Sequence, residues 1–229
     1  MKEYSLGIDN FGKDVREGTN ILFTAPPLSG KNAFSRNFFY QGLKDNEGCV
    51  YVTTTEETNS ILKWFKENKE VDLDEFEGHF GIVDCVTKSQ ELSEIKGKSI
   101  KYASNPGDLT DIGVKISSFL KDFYKSDDLD GIRLIIDTIS VILMYSNVKT
   151  VFRFLHTFSG RIRSTDAVAL YILEEGDHDR KTIQTLKQLV DLSLEAEESE
   201  GNRMIKFSGQ INSDWLKYAV NNNNMKIIS

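Results

Sequence analysis

The sequence predicts an α/β fold in which a mainly parallel central β-sheet is flanked by helices on both faces. Short apolar segments alternate along the chain with longer amphipathic segments, an order typical of strands joined by right-handed helical crossovers. Most of the apolar segments are continuous rather than alternating, as expected for strands covered on both faces. Together these two patterns indicate a sheet buried between two layers of helices.

Six segments have the length and composition of buried strands. They are Asn20–Thr24, Cys49–Thr53, Phe80–Asp84, Ile132–Asp137, Val168–Leu173 and Leu189–Ala196. The predicted helices between them are Lys31–Leu43, Thr58–Asn68, Asp108–Tyr124, Lys149–Ser164 and Arg180–Leu186. Near the end of the chain, two further segments are expected to be edge strands, Arg203–Phe207 and Met225–Ile228. The acidic run Glu195–Glu200 is expected to be a solvated hairpin end.

The chain is expected to form one domain over residues 1–229. Its 229 residues are enough for a single substantial core. It contains only three prolines, and no Gly/Ser-rich linker or internal repeat divides it. With 39% hydrophobic and 28% charged residues, it has the composition of a packed globule rather than of a disordered chain.

Charge and cysteine content narrow the function. The net charge of −7 and the pI of about 5.1 make DNA an improbable partner, because phosphate binding requires clustered Lys and Arg. Cys49 and Cys85 are too few for a disulfide framework, so both are expected to be buried thiols in a reducing cytosol. No apolar segment approaches the ~20 residues that span a bilayer. We therefore expect a cytoplasmic protein that does not bind membranes.

The segment after the first predicted strand carries the most specific chemistry. It consists of Ala25, Pro26, Pro27, Leu28, Ser29, Gly30, Lys31 and Asn32. A phosphate loop, or Walker A motif, has a glycine, four residues and then Gly-Lys-Ser/Thr. Its amides surround a phosphate, its lysine reaches the β- and γ-phosphates, and its hydroxyl binds Mg²⁺. Gly30 and Lys31 match this motif between a strand and a helix, which predicts a site for nucleotide phosphates.

Both ends of the motif depart from the pattern. Ala25 replaces the first glycine, which predicts a narrowed or reshaped loop. Asn32 replaces the hydroxyl residue, and its amide oxygen would bind Mg²⁺ more weakly. Pro26 and Pro27 also lack the amide hydrogen that could donate to phosphate. The alternative is an ordinary strand-to-helix turn, with Gly30 at the helix entry and Lys31 exposed.

A carboxylate ends the predicted strand Ile132–Asp137. At the ligand-binding edge of a parallel sheet, Asp137 could hold a Mg²⁺-bound water or the hydroxyl of the phosphate loop. Asp137 and Asn32 are therefore the predicted metal-binding residues. The alternative is that Asp137 caps the next helix.

Two adjacent carboxylates, Glu56 and Glu57, follow the strand Cys49–Thr53. A carboxylate at this position could orient and deprotonate the water that attacks a γ-phosphate. The alternative is helix capping, with Thr54 or Thr55 as the N-cap and the glutamates in the first turn. The phosphate-loop segment, Asp137 and the glutamate pair each lie at the end of a predicted strand. Three such segments together favour a nucleotide site over three unrelated helix caps.

These segments resemble the KaiC-like ATPases of the RecA superfamily, particularly short archaeal single-domain members described as signal-transduction ATPases. The resemblance implies a RecA-like P-loop fold. Lys31 matches the phosphate-loop lysine of that family, Asp137 its Walker B aspartate, and Glu56 and Glu57 its catalytic glutamate pair. The segment Leu6–Asp9, which precedes the first predicted strand, also resembles the corresponding segment of the family.

The segment Arg203–Gly209 resembles the Lys-x-Arg-Gly strand of the same family. In hexameric members, this lysine and arginine reach the γ-phosphate of the neighbouring subunit, so the resemblance implies a homo-oligomer. Lys206 matches the lysine, whereas Ser208 replaces the arginine. With Ala25 and Asn32, this makes three departures around the nucleotide.

We therefore expect a regulatory, signal-transducing protein that binds ATP or ADP with Mg²⁺, hydrolyses ATP slowly or not at all, and contacts protein partners. The first alternative is an active ATPase that tolerates its altered loop. A recombinase-like DNA-binding protein and a nucleotide-free interaction scaffold are further alternatives.

Overall fold

The structure is a computed structural model that describes residues 2–176, 178–199 and 201–228. Its helices are α1 (Lys31–Lys44), α2 (Thr58–Lys69), α3 (Leu109–Tyr124), α4 (Ile139–Tyr145), α5 (Val148–Ser164) and α6 (Arg180–Lys187). Its strands are β1 (Glu3–Ser5), β2 (Asp14–Arg16), β3 (Asn20–Ala25), β4 (Glu47–Thr53), β5 (Phe80–Asp84), β6 (Ile100–Tyr102), β7 (Gly131–Asp137), β8 (Val168–Glu174), β9 (Leu192–Ser199), β10 (Asn202–Gly209), β11 (Leu216–Asn221) and β12 (Asn224–Ile228).

Within the described residues, ten strands form one sheet in the order β12-β11-β10-β9-β3-β8-β7-β4-β5-β6. Every neighbouring pair from β9 to β6 is parallel, whereas the pairs that involve β10, β11 and β12 are antiparallel. β1 and β2 form a separate antiparallel pair. The predicted α/β class with a mainly parallel sheet is confirmed.

Helices cover both faces of the sheet, as the continuous apolar strands predict. One face packs against α1 and α2, whose buried residues include Phe34, Phe38 and Phe65. The opposite face packs against α3, α5 and α6, through residues such as Ile116 and Leu155. β3, β8, β7 and β4 lie between these layers and are almost entirely buried.

Several short elements were not predicted. β1, β2 and β6 have three residues each, too few to show a periodic pattern of hydrophobic residues. The helix α4 was also missed. It has only seven residues and begins two positions after the last residue of β7, so its apolar residues are not separated from the strand by a clear turn signal. β9 begins at Leu192 instead of Leu189, because the amide of Leu189 bonds to the carbonyl of Leu186 in the turn that ends α6. Of the predicted acidic hairpin end, Glu200 lies outside the described residues.

The strand order brings the predicted functional segments together. β3, β8, β7 and β4 are consecutive neighbours, and their carboxyl ends meet at the same edge of the sheet. This edge therefore carries the loop after β3, Glu174 at the end of β8, Asp137 at the end of β7 and the glutamate pair after β4. In open α/β sheets this edge is where ligands bind.

Candidate functional site

The loop after β3 is shaped by two residues with left-handed backbone conformations. Leu28 has a φ of 60° and a side chain that is 89% exposed. Gly30 has a φ of 90° and is the N-cap of α1. Between them, the amide of Ser29 bonds to the carbonyl of Pro26 at 3.4 Å. The loop is thus a compact turn that delivers the chain directly into α1.

The start of α1 has the properties of an anion site. Gly30 has no side chain to cap the helix, and the first turn contains no acidic residue. The first amides of a helix have no intrahelical partner and attract negative charge. Beside them, the hydroxyl of Ser29 is buried and has no hydrogen-bond partner among the residues that the structure describes. An unpartnered buried hydroxyl at this position fits an absent polar ligand.

Lys31 points into this edge of the sheet rather than into solvent. Its ammonium group lies 3.3 Å from Glu174 Oε2, and only 12% of its side chain is exposed. Lys31 is therefore not exposed, as the ordinary-turn alternative had expected, whereas Gly30 does stand at the helix entry. A phosphate at the loop would compete with Glu174 for the same cation.

Ala25 belongs to β3 and not to the loop. It is fully buried, lies opposite Glu174 in the register of β3 and β8, and its carbonyl accepts a hydrogen bond from the amide of Glu175 at 2.9 Å. The backbone at Ala25 is still extended. The left-handed conformations fall at Leu28 and Gly30 instead.

Asp137 is held by two hydroxyl groups. Its Oδ2 accepts hydrogen bonds from Ser35 Oγ at 2.8 Å and from Tyr51 Oη at 2.5 Å. Burial raises the pKa of Asp137, although both hydrogen bonds act in the opposite direction. Burial also raises the pKa of Tyr51 well above its ordinary value, and the negative charge of Asp137 adds to this effect. Asp137 does not cap α4, because that role falls to Thr138, whose hydroxyl accepts from the amide of Ser140.

The hydroxyl of Ser35, one turn after Asn32 on α1, donates to Asp137. Asn32 itself has an exposed side chain. The structure thus pairs Asp137 with Ser35 rather than with Asn32, the other predicted metal ligand. No group of three or more His, Cys, Asp or Glu side chains in the described part of the chain could hold a metal ion. A Mg²⁺ ion at this edge would therefore depend on a nucleotide for most of its ligands.

The two glutamates after β4 have different surroundings. Glu56 Oε2 lies 2.6 Å from a terminal nitrogen of Arg36 in α1, in an ion pair that is largely buried on the arginine side. Glu57 is the N-cap of α2, and its side chain makes no capping hydrogen bond. The two glutamates therefore differ in their surroundings, and of the two, Glu56 is the one with an ion-pair partner among the described residues.

Asp84, at the end of β5, caps α2 from the neighbouring strand. Its Oδ2 accepts from both the amide and the hydroxyl of Thr58, each at 2.7 Å. Its other oxygen accepts from the amides of Val86 and Thr87, each at 2.8 Å. The capping role predicted for Thr54 or Thr55 is therefore wrong. Asp84 was missed, although it ends an apolar strand just as Asp137 does.

Lys206 lies on β10, two strands from β3. It is paired in register with Glu195 on β9, which is in turn opposite Thr24 of β3. Two strand spacings separate it from β3 by about 10 Å. Glu195 also forms an ion pair with Lys187 of α6 at 2.8 Å. Lys206 is thus near the ligand edge, but on a different part of it from Lys31.

The hairpin of β11 and β12 packs on the phosphate loop. Tyr218 Oη donates a hydrogen bond to the carbonyl of Ser29 at 2.8 Å. A Cβ atom at Gly30 would overlap the Cγ2 methyl of Val220. The hairpin is also tied to α1, because Asn37 Nδ2 donates to the carbonyl of Asn223 at 2.7 Å. This contact was not predicted, because nothing in the local sequence of either segment indicates the other.

The chain has an α/β fold of the kind seen in a KaiC-like protein. Over its whole length the structure is similar to the crystal structure of the KaiC-like protein PH0186 from Pyrococcus horikoshii OT3. The TM-score is 0.74, and the match covers 100% of this chain and 99% of that chain at 18% identity. The chain belongs to the family of unknown function DUF7504, whose model matches residues 18–196.

The match to a second similar protein covers less of the chain. The UPF0273 protein SSO1861 from Saccharolobus solfataricus is 24% identical over 147 residues, which are 63% of this chain and 49% of the relative. The chain thus matches about half the length of that protein. None of the helices in the described ranges combines the length and apolar character that a membrane span requires.

Proposed function

We propose that this chain is a KaiC-like nucleotide-binding regulator that binds ATP or ADP at the loop before α1. The observation that carries the proposal is the start of α1, where three features are adjacent in sequence: an uncapped helix end, the half-buried Lys31, and the hydroxyl of Ser29, which has no partner among the described residues. Backbone amides and a lysine at a helix N-terminus are the groups that bind nucleotide phosphates. The loop Pro26–Gly30 and Asn32 would form the rest of this cradle.

Hydrolysis is proposed to be slow or absent. Mg²⁺ would be held by Asp137 and Asn32 together with the nucleotide, and when bound it would neutralise charge on the phosphates. However, Asp137 already accepts two hydroxyl hydrogen bonds through one oxygen, and Asn32 offers only a neutral amide. Weak metal binding would favour a protein whose nucleotide state changes its contacts with signalling partners.

An active ATPase is the second candidate. It is favoured by one observation, that Lys31, Glu56 and Asp137 follow three strands that end at the same edge of the sheet. We further propose one domain over the whole chain, a cytoplasmic location, and a homo-oligomer in which Lys206 faces the site of a neighbouring subunit. The recombinase-like and scaffold alternatives have less support, because the charge opposes the first and the cradle opposes the second.

Titration with fluorescent ATP and ADP, with and without Mg²⁺, tests the proposal, alongside a steady-state hydrolysis assay. We expect binding in the micromolar to millimolar range. Lys31→Ala should weaken it by ~1–3 kcal/mol, the loss typical of a hydrogen bond to a charged group. Glu174→Gln should strengthen binding, because it frees Lys31 from its carboxylate partner.

Lys63→Ala is the matched control, since Lys63 is an exposed lysine paired with Glu67 on α2. It should leave nucleotide affinity unchanged. Absence of binding heat with either nucleotide at millimolar concentration would support the scaffold alternative. A wild-type turnover near 1 per second would instead support the active ATPase, because it lies within the ordinary range of enzymes.

A further inference from the structure

Arg36 is a buried cation placed between the phosphate loop and the candidate base. It lies on α1, five positions after Lys31, and is 6% exposed. One terminal nitrogen of its guanidinium contacts Glu56 Oε2 at 2.6 Å, and the group lies over the ring of Trp64, 4.7 Å from its centroid. The arginine thus links the helix that begins at the phosphate loop to the segment that carries Glu56.

We propose that Arg36 is a positioning residue that restrains Glu56 and thereby limits hydrolysis of the bound nucleotide. This inference rests on the proposed function. In hydrolysis, Glu56 would take a proton from the water whose oxygen bonds to the γ-phosphorus, while the bond from that phosphorus to the bridging oxygen of ADP breaks. A base must offer a free lone pair to the water. A short, charge-assisted bond to Arg36 occupies one carboxylate oxygen and fixes the orientation of the other.

The arginine side of this pair is not what a purely structural ion pair would show. The Nε atom of Arg36 is buried and lacks a hydrogen-bond partner within the described ranges. Buried guanidinium groups that serve stability normally have their donors satisfied. By contrast, Arg133 in the interior of the sheet bonds through Nε to Glu47 and through a terminal nitrogen to the carbonyls of Ser5 and Phe38. Arg36 therefore gives Glu56 a hydrogen bond while its own Nε donor has no partner among the described residues.

The stacking partner helps to hold the restraint in place. Trp64 lies on α2, the helix that begins directly after the glutamate pair. A guanidinium over an indole face is attracted by the ring and loses rotational freedom. The contact therefore fixes the arginine that holds Glu56, and a neutral side chain of similar length at position 36 should keep the packing on Trp64 while it releases the carboxylate.

Arg36→Met in the full chain tests this, measured by steady-state ATP hydrolysis and by titration with fluorescent ATP. We expect kcat to rise ~10-fold or more, which corresponds to about 1.4 kcal/mol of barrier. KM and nucleotide affinity should stay within about threefold, since Arg36 is not placed in the phosphate cradle. Arg36→Lys retains a cation and should remain close to wild type in kcat. A change limited to stability would not separate these two variants in this way.

The base partner provides the decisive control. In a Glu56→Gln background, Arg36→Met should give no gain, whereas in a Glu57→Gln background the gain should persist. A folded Arg36→Met protein that binds ATP without a gain in kcat would overturn the inference, and so would a gain that survives loss of Glu56. If Arg36→Met does not fold, Arg36→Leu serves in its place. Failure of the wild type to bind nucleotide would refute the proposed function itself, and the titration separates that result from the others.

Discussion

Asp137 differs from the other buried carboxylate at this sheet edge, Asp84, in the groups that surround it. Asp137 accepts from two side-chain hydroxyls, whereas Asp84 accepts from three backbone amides as well as from hydroxyls. Burial raises the pKa of Asp137 above the ordinary 3.8. Between 3.8 and the raised pKa, the folded chain binds more protons at Asp137 than the unfolded chain does. Stability from this group is therefore present at low pH and is lost as the pH rises through the raised pKa.

Asp137→Asn should remove this penalty while its amide oxygen still accepts from Ser35 and Tyr51. We expect the free energy of unfolding at pH 7 to rise by about 1 kcal/mol, the scale of one desolvated polar group. The pH dependence of this free energy should become flatter at pH values above the ordinary pKa of 3.8. Urea unfolding across this range provides the measurement. Asp84→Asn is the control and should destabilise, so equal effects of the two substitutions would contradict the assignment.

The role of a single residue was predictable from the sequence only where it depends on residues that are close in sequence. The strand-end position of Asp137 follows from the apolar run before it. Its partners do not, because Ser35 is 102 positions away and Tyr51 is 86 positions away. The same applies to Glu56, whose proposed role as a base was visible but whose partner Arg36 was not. The type of a residue and its place in a strand are visible in the sequence. The charged and polar groups around it come from distant segments that only the fold brings together.

At the level of elements, the contact between the C-terminal hairpin and the phosphate loop constrains Gly30. Alanine there would combine a left-handed backbone with a clash against Val220. Gly78 is a matched control, because its φ is 92° against 90° at Gly30 and it has no atom within 4 Å of an added Cβ. The backbone cost should therefore be similar at both positions, about 1–2 kcal/mol.

Gly30→Ala should be more destabilising than Gly78→Ala by about 1–3 kcal/mol, the cost of overpacking. Val220→Ala in the Gly30→Ala background should recover that excess but not the backbone cost. Thermal or urea unfolding of the three variants and the wild type measures these differences. Equal destabilisation at the two glycines would show that the hairpin yields without cost and does not support the loop.

The long elements were predictable because burial on both faces leaves a clear composition. β3, β4, β5, β7 and β8 each begin and end within one or two residues of the predicted strands. The pairing of β11 with the end of the sheet was not predictable. The positions of β11 do not alternate regularly between buried and exposed, and its Tyr218 packs on a loop that is distant in sequence.

For the molecule as a whole, the net charge of −7 predicts little attraction to nucleic acid. A mobility-shift assay with duplex and single-stranded DNA should show no complex at ~150 mM salt, since counterion release then contributes little to an acidic protein. Any complex at lower salt should weaken steeply as salt is added. Tight binding that resists salt would instead favour the recombinase-like alternative.

The bond between Tyr218 and Ser29 joins residues 189 positions apart. On the ribosome, at 5–20 residues per second, the hairpin is made roughly 10–40 s after the loop it covers. During that interval the growing chain already contains β3 and α1, which flank the loop, but not the segment that packs against Gly30. The loop is thus synthesised well before the hairpin that packs on it, and the bond between Tyr218 and Ser29 can form only after this delay.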